Sequence, residues 1–317
     1  MTAMGRFLSV ALSLLLAFSI GACRDREKAP TGPHRLQVVT TLFPVYDFAR
    51  IIGGEKAEVR LLLPPGVEPH NYEPKPEEVA RIGRADLFVY TDRYMEPWAA
   101  DLLKGVGGGR APRVVEAGSG ANFLSANGEE VGHAEHHHDH GTMDPHIWLD
   151  PENARLMVAA IAAAMAEKDP ANAAYYRGNA ARYEGELTRL DERFRAGLAN
   201  CRQHTFLHGG HYAFAYLARR YGLTYRSAYA LSANAEPTPQ RLVELVREMR
   251  SQRLKYIFYE ELLSPAVAQT IARETGGTLL RLHGIHNVSK ADLERGASYL
   301  SLMEENLNNL RTGLECR

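Results

Sequence analysis

The segment DPANAAYYRGNAARYEGELTRLDERFRAGLAN, residues 169–200, is the strongest indication of how the chain is organised. It opens with Asp169 as a candidate N-cap and with Pro170 at the first helical position. Apolar residues then recur three or four positions apart: Tyr176, Ala180, Tyr183, Leu187, Leu190, Phe194 and Leu198. This spacing predicts one amphipathic helix, which at 1.5 Å per residue would be about 43 Å long. Because that length exceeds one small lobe, we expect a rigid linker helix between two lobes.

Short strands alternate with amphipathic helices on both sides of this segment. The predicted strands are LQVVTT (36–41), AEVRLLL (57–63), DLFVYT (86–91), HTFLHG (204–209), LKYIFYE (254–260) and TLLRLHG (278–284). Such alternation is typical of parallel sheets covered by helices. We therefore predict an α/β fold of two Rossmann-like lobes with parallel sheets, residues 36–168 and 201–317, joined by the linker helix of 169–200.

The first 23 residues have the composition of an export signal. One basic residue precedes an apolar stretch over residues 7–20, and small residues precede Cys23. The stretch is short for a membrane span, and its end, IGAC, resembles a bacterial lipobox. We expect lipid on Cys23, with a plain signal peptide or an uncleaved anchor as the alternative. Residues 24–35 are polar with Pro and Gly, which is typical of a flexible tether.

Export places the mature protein outside the cytoplasm, in the periplasm or on the cell surface, held to a membrane by its lipid. If Cys23 is lipidated, Cys201 and Cys316 remain. An even pair in an oxidising compartment predicts a disulfide bond, and two free buried thiols are the alternative. The formal net charge is −1, with acidic and basic residues mixed along the chain. Nucleic acid is therefore not an expected partner, and we expect a monomer.

Histidines follow several of the predicted strands. In open α/β sheets, ligands bind beyond the carboxyl ends of strands. The histidines in such strand-end or loop positions are His70, His146, His211, His283 and His286. A lone loop histidine is more often a solvated residue than a ligand. Four segments, two in each lobe, together predict a site for Zn²⁺ or another late first-row metal, because tetrahedral zinc takes about four such ligands.

Four motifs resemble those of a known family. They are GVEPHNYEPKPEEV, DPHIWLDPENA, HYAFAYLARRYGL and TLLRLHGIHNVSKADLERGASYLSLMEENLNNL. Over nearly all of the mature chain, the sequence resembles the zinc/manganese-specific substrate-binding proteins of bacterial ABC transporters. The resemblance implies two α/β lobes joined by one long rigid helix, with the metal bound between them. It also implies that His70, His146 and His211 are metal ligands.

The fourth ligand is open. The family often has an aspartate at this position, or completes its shell with another carboxylate or water, whereas this sequence has LHGIHN. We choose His286, with His283 as the alternative. Glu68 and Glu261 are further candidate oxygen donors, and each has an alternative role as a surface or supporting carboxylate. Four histidines would favour zinc, and carboxylate ligands would better suit manganese.

A histidine-rich segment precedes His146, where several zinc-type members of the family carry a similar loop. GHAEHHHDHG, residues 132–141, has no apolar face to bury, so we expect a mobile loop over residues 128–143. It would bind metal weakly for capture, gating or buffering, or it would be a solvated loop with no role in transport. The candidate accessory ligands are His133, His136, His137, His138 and His140.

These features predict a binding protein rather than an enzyme. It would bind a divalent transition metal ion, Zn²⁺ in preference to Mn²⁺, in the cleft between the lobes and deliver it to an ABC permease for import. A secreted zinc metallohydrolase is the main alternative, but the chain has no H-E-x-x-H motif and no histidine cluster with an obvious general base. A metal-binding adhesion or sensor lipoprotein on the same scaffold is the second alternative.

Overall fold

The first half of the chain folds around four parallel strands. The structure, a computed structural model, describes residues 35–99, 102, 111–125, 143–230 and 237–317. The strands are β1 (Leu36–Thr40), β2 (Ala57–Leu61), β3 (Leu87–Tyr90) and β4 (Arg113–Glu116), in the order β2-β1-β3-β4. The helices are α1 (Phe43–Gly53), α2 (Pro76–Ile82) and α3 (Pro151–Lys168), with 3₁₀ turns at Gly54–Lys56, Pro69–Asn71 and Ile147–Leu149.

One long helix, α4 (Ala173–Leu198), follows this half. Pro170 opens the helical stretch as predicted, in a 3₁₀ turn over Pro170–Asn172. The side chain of Asp169 does not cap the backbone. Its Oδ2 instead accepts hydrogen bonds from Asn172 Nδ2 and from the Tyr176 hydroxyl, both at 2.7 Å.

The second half repeats the arrangement of the first. Its strands are β5 (Thr205–His208), β6 (Thr224–Ser227), β7 (Tyr256–Tyr259) and β8 (Thr278–Arg281), all parallel and in the order β6-β5-β7-β8. Its helices are α5 (Ala215–Arg220), α6 (Pro239–Ser251), α7 (Ala266–Thr275), α8 (Lys290–Glu294) and α9 (Tyr299–Gly313). The predicted α/β fold, with two lobes of parallel sheet joined by one long helix, is confirmed.

Helix α4 packs on both lobes. All seven apolar residues that predicted it are buried. The helix contacts α1 and α3 of the first lobe and α9 of the second. Phe194 stacks on Tyr221, with 4.9 Å between ring centroids. This packing stabilises a helix whose three glycines give it a modest intrinsic propensity.

Polar contacts also cross between the lobes. Arg220 of α5 lies 2.8 Å from Asp150 of the first lobe and 2.7 Å from Asp191 of α4. The hydroxyl of Tyr299 donates to the main-chain carbonyl of Trp148 at 2.6 Å. Residues 35–317 accordingly form one compact unit.

A disulfide bond joins Cys201 to Cys316, as predicted. The two cysteines also pair as an antiparallel β-bridge. The bond fastens the end of the chain to a residue just after α4, across a sequence separation of 115 residues.

Some predictions lie outside the described residues. They include the export signal of residues 1–23 with Cys23, and almost all of the tether of residues 24–35. In the part of the chain that the structure describes, no helix is both long and apolar enough to cross a membrane. The lobe bounds of 36–168 and 201–317 stay predictions.

Candidate metal centre

His70 lies in the 3₁₀ turn Pro69–Asn71 that follows β2. Glu68 caps this turn, because its Oε1 accepts a hydrogen bond from the main-chain N–H of His70 at 3.1 Å. The ring Nε2 of His70 is buried and has no hydrogen-bond partner among the described residues. The turn therefore presents a free imidazole nitrogen beyond the carboxyl end of β2.

His146 is held by a carboxylate two residues before it. Asp144 Oδ1 lies 3.0 Å from the main-chain N of His146 and 2.7 Å from its ring Nδ1. Both side chains are fully buried. Burial raises the pKa of Asp144 to about 8. When Asp144 is ionised, its Oδ1 accepts the imidazole proton of His146 Nδ1. With that proton on Nδ1, the Nε2 atom presents a lone pair.

His211 is held in the same way by a more distant carboxylate. Glu260 directly follows β7, and its Oε1 accepts from the main-chain N–H of His211 at 2.8 Å. Its Oε2 lies 2.6 Å from the ring Nδ1 of His211. His211 itself lies four residues before the start of α5 at Ala215.

The three rings meet in one group. Ligand atoms of His70, His146 and His211 all lie within 4.8 Å of one another. The Nε2 atoms of His146 and His211 are 3.1 Å apart. Two bare nitrogen lone pairs repel at this distance, so either a proton on one nitrogen or a metal ion shared by both must lie between them. Zn–N bonds of about 2.0–2.1 Å in a tetrahedron would place two such nitrogens about 3.3 Å apart.

His286 is the fourth imidazole beside this group. Its ring centroid lies 5.6 Å from that of His211 and 6.4 Å from that of His70. The residue is fully buried, and neither ring nitrogen has a hydrogen-bond partner in the described ranges. His283 differs, because its Nδ1 accepts a hydrogen bond from the main-chain N–H of Ile285 at 2.9 Å.

The comparisons with known proteins identify the family. The model of the family described as zinc-uptake complex component A, periplasmic (ZnuA), matches residues 38–313. The chain belongs to this ZnuA family. Membership confirms the predicted class, a zinc-binding transport protein outside the cytoplasm and not an enzyme.

The relatives match along most of the chain. The high-affinity zinc uptake system protein ZnuA of Bacillus subtilis (strain 168) is 36% identical over 315 residues, which cover 96% of each chain. The zinc-binding lipoprotein AdcA of Streptococcus pneumoniae serotype 4 is 35% identical over 309 residues, which cover 96% of this chain and 60% of that longer protein. The crystal structure of the Zn(II)-bound ZnuA-like domain of Streptococcus pneumoniae AdcA superimposes with a TM-score of 0.76 at 33% identity, covering 89% of this chain and 100% of that one.

Burial keeps most imidazoles of this ZnuA-family site neutral. It lowers the pKa of His70 to about 4, and it lowers the pKa values of His146 and His286 well below the usual range. Burial also disfavours the charged form of His211, but the carboxylate of Glu260 outweighs this effect and raises the pKa of His211. Neutral imidazole is the form that binds a metal ion.

The two candidate oxygen donors differ. Burial raises the pKa of Glu261 to about 8, so this side chain is mostly protonated at neutral pH and is a poor metal ligand. It accepts from the main-chain N–H of Gly284 at 3.1 Å and contacts His283, which gives it a supporting role. Glu68 is more exposed, although burial raises its pKa as well. Each carboxyl group keeps one buried oxygen, Glu68 Oε2 and Glu261 Oε1, without a hydrogen-bond partner among the residues described.

Three supporting residues were not predicted from the sequence. Asp144 and Glu260 orient the rings, and buried His208 lies beneath His211, with its Nδ1 3.3 Å from the carbonyl of that residue. Asp144 stands two positions before His146, and Glu260 stands at the carboxyl end of a predicted strand. Those two positions are the features of the sequence that could have identified Asp144 and Glu260 as supporting residues.

The histidine-rich segment lies almost wholly outside the described residues. This applies to His133, His136, His137, His138 and His140. On either side of the segment, Ser125 and Met143 form an antiparallel β-bridge. The main-chain N–H of Asp144 also donates to the carbonyl of Leu124 at 2.9 Å. The described residues that flank the segment therefore lie next to Asp144, which orients His146.

Proposed function

We propose that His70, His146, His211 and His286 bind one Zn²⁺ ion between the lobes, and that the chain delivers this ion to an ABC permease. The observation that carries the proposal is the 3.1 Å separation of the Nε2 atoms of His146 and His211. Each ring has a carboxylate on its Nδ1 side, which turns its Nε2 toward the other ring.

The donor set favours zinc over manganese. Neutral imidazoles suit Zn²⁺, whereas Mn²⁺ prefers carboxylate and water oxygens. Four protein ligands also fill a tetrahedral shell, and a filled shell has no open position for the water that a zinc hydrolase activates. Such a site holds and releases the ion without chemistry. Glu68 Oε2 is the alternative fourth donor, since it lies in the turn that carries His70.

We also propose that lipid on Cys23 holds a monomeric protein near its permease. The IGAC sequence supports this proposal, as does the name of AdcA, a zinc-binding lipoprotein. The lobes would comprise residues 36–168 and 201–317, with the linker at 169–200. The accessory ligands His133, His136, His137, His138 and His140 would capture zinc weakly ahead of the main site.

The test is a competition titration of the metal-free protein against a zinc chelator of known affinity. His286→Ala should weaken zinc binding by about tenfold to a hundredfold, the usual effect of disturbing a metal shell. Exposed His204 provides the matched control, and His204→Ala should leave the affinity unchanged. Glu68→Gln tests whether Glu68, rather than His286, is the fourth donor. If only Glu68→Gln weakens binding, the four-histidine shell is wrong.

A further inference from the structure

The residue before His286 has a backbone conformation that its side chain disfavours. Ile285 has a φ of +63°, in the left-handed region, and its side chain is fully buried. A β-branched residue is a genuine outlier in this region. Such strain persists only where the surrounding structure holds it, and it clusters at ligand sites and switch regions.

Hydrogen bonds within the second lobe fix the start of the turn His283–His286. The main-chain N–H of Ile285 donates to the ring Nδ1 of His283 at 2.9 Å. Asn306 of α9 holds the main chain of His283 on both sides. Its Oδ1 accepts from the N–H at 2.6 Å, and its Nδ2 donates to the carbonyl at 2.8 Å.

The first lobe supplies two further hydrogen bonds to the turn. Trp148 Nε1 donates to the carbonyl of Gly284 at 2.8 Å. The main-chain N–H of Phe43 donates to the carbonyl of His286 at 3.2 Å. The strained residue thus lies, along the chain, between the carbonyls of Gly284 and His286, which the opposite lobe holds in place.

The ring of His286 packs directly on the backbone of this turn. A Cβ atom at Gly284 would lie 2.7 Å from Nδ1 of His286 and 2.8 Å from its Cε1. Since a real Cβ almost never comes so close, the ring uses the space that the glycine leaves. A change in the conformation of the turn must therefore move the ring.

We propose that the His283–His286 turn is a strained positioning element, in which the hydrogen bonds from Trp148 and Phe43 hold His286 at the metal centre against the preference of Ile285 for a negative φ. This inference rests on the proposed function, because it takes His286 as a zinc ligand. Contacts between the lobes then set the fraction of the protein that is ready to bind zinc. The apparent affinity falls in proportion to that fraction.

Removing one hydrogen bond tests the proposal. Trp148→Phe deletes the donor to Gly284 and keeps an aromatic ring, so Ile285 can relax and zinc binding should weaken by about tenfold. Adding Ile285→Gly to this variant should return the Kd to within about threefold of the unaltered protein, because glycine adopts a positive φ without strain. Both are measured by chelator competition on protein whose thermal unfolding shows it to be folded.

Alanine is the matched control for glycine. Ile285→Ala removes nearly the same buried side chain but leaves an L-residue in the left-handed region. It should therefore fail to rescue Trp148→Phe. Rescue by glycine alone identifies backbone strain, whereas equal rescue by alanine would identify packing of the isoleucine side chain and would overturn the proposal.

A second route keeps the test valid if Trp148→Phe does not fold. Asn287 Nδ2 donates to the carbonyls of Pro64 and Val67 in the first lobe, both at 2.8 Å. Asn287→Ala should likewise weaken binding and be rescued by Ile285→Gly. No weakening in either variant, or weakening without rescue in both, would overturn the inference.

His286→Ala separates this inference from the proposed function. If His286→Ala weakens zinc binding but glycine rescues neither variant, the strain inference fails and the four-histidine shell stands. If His286→Ala binds zinc as the unaltered protein does, the shell itself is wrong and the inference fails with it.

Discussion

At the scale of single residues, the metal centre depends on the placement of two protons. One lies on Nδ1 of His146, facing Asp144, and the other lies on His211, whose pKa Glu260 raises. The proton on His211 can occupy the 3.1 Å gap between the two Nε2 atoms when no metal is there. A zinc ion that takes this place must displace the proton.

Zinc binding should therefore weaken as the pH falls, because one proton competes with the ion. Below the pKa of His211, the Kd should rise about tenfold for each pH unit, because protonated His211 cannot bind the ion. A further proton, on His70, should compete near pH 4, because burial lowers the pKa of His70 to about 4. Chelator competition at a series of pH values measures the slope. An affinity that does not change between about pH 7 and pH 5 would contradict the assignment.

Glu260→Gln should flatten this pH dependence, because burial alone lowers the pKa of His211. The matched control is Glu261→Gln, since burial already raises the pKa of Glu261 to about 8 and keeps it protonated in this range. The control should retain the slope of the unaltered protein. Equal flattening in both variants would show that Glu260 has no special role.

Whether the sequence predicts a residue of the site depends on how far apart in sequence that residue and its contacts lie. His70, His146 and His211 could be named as candidate ligands because each stands in a local motif at a strand end or in a loop. Glu260 lies 49 positions from His211, and only the pairing of β5 with β7 brings the two together. The φ of Ile285 could not be predicted, because isoleucine disfavours it and contacts with the other lobe impose it.

Among the elements, α4 joins the two lobes through the regularly spaced apolar residues of its buried face. Leu190 is fully buried on the face of this helix. Leu190→Ala should lower the free energy of unfolding by about 2–5 kcal/mol through lost burial and a cavity. Exposed Glu192 is the control, and Glu192→Ala should change it by less than about 0.5 kcal/mol. Chemical denaturation measures both, and equal effects would contradict packing along this face.

Elements with a clear period could be predicted, and short irregular ones could not. The long helix follows from apolar spacing, since burial imposes that spacing over many residues, and the six quoted strands follow from short apolar runs. The strands β4 and β6 were not predicted. The 3₁₀ turn at Pro69–Asn71 has too few residues to show a period. The bonds from the N–H groups of His211 and Tyr212 to Glu260 and to the carbonyl of Ala230 join residues distant in sequence, so no local pattern predicts them.

At the scale of the whole molecule, zinc should stabilise both lobes together. Residues 35–317 form one compact unit, and the proposed ligands come from both lobes, so unfolding of either lobe destroys the site. At a free zinc concentration about 1,000 times the Kd, binding adds about 4 kcal/mol to the free energy of unfolding. A single thermal transition should therefore move upward with zinc concentration. His146→Ala should remove most of the shift, and His204→Ala should retain it. Two separate transitions, with zinc moving only one, would contradict a site shared by the lobes.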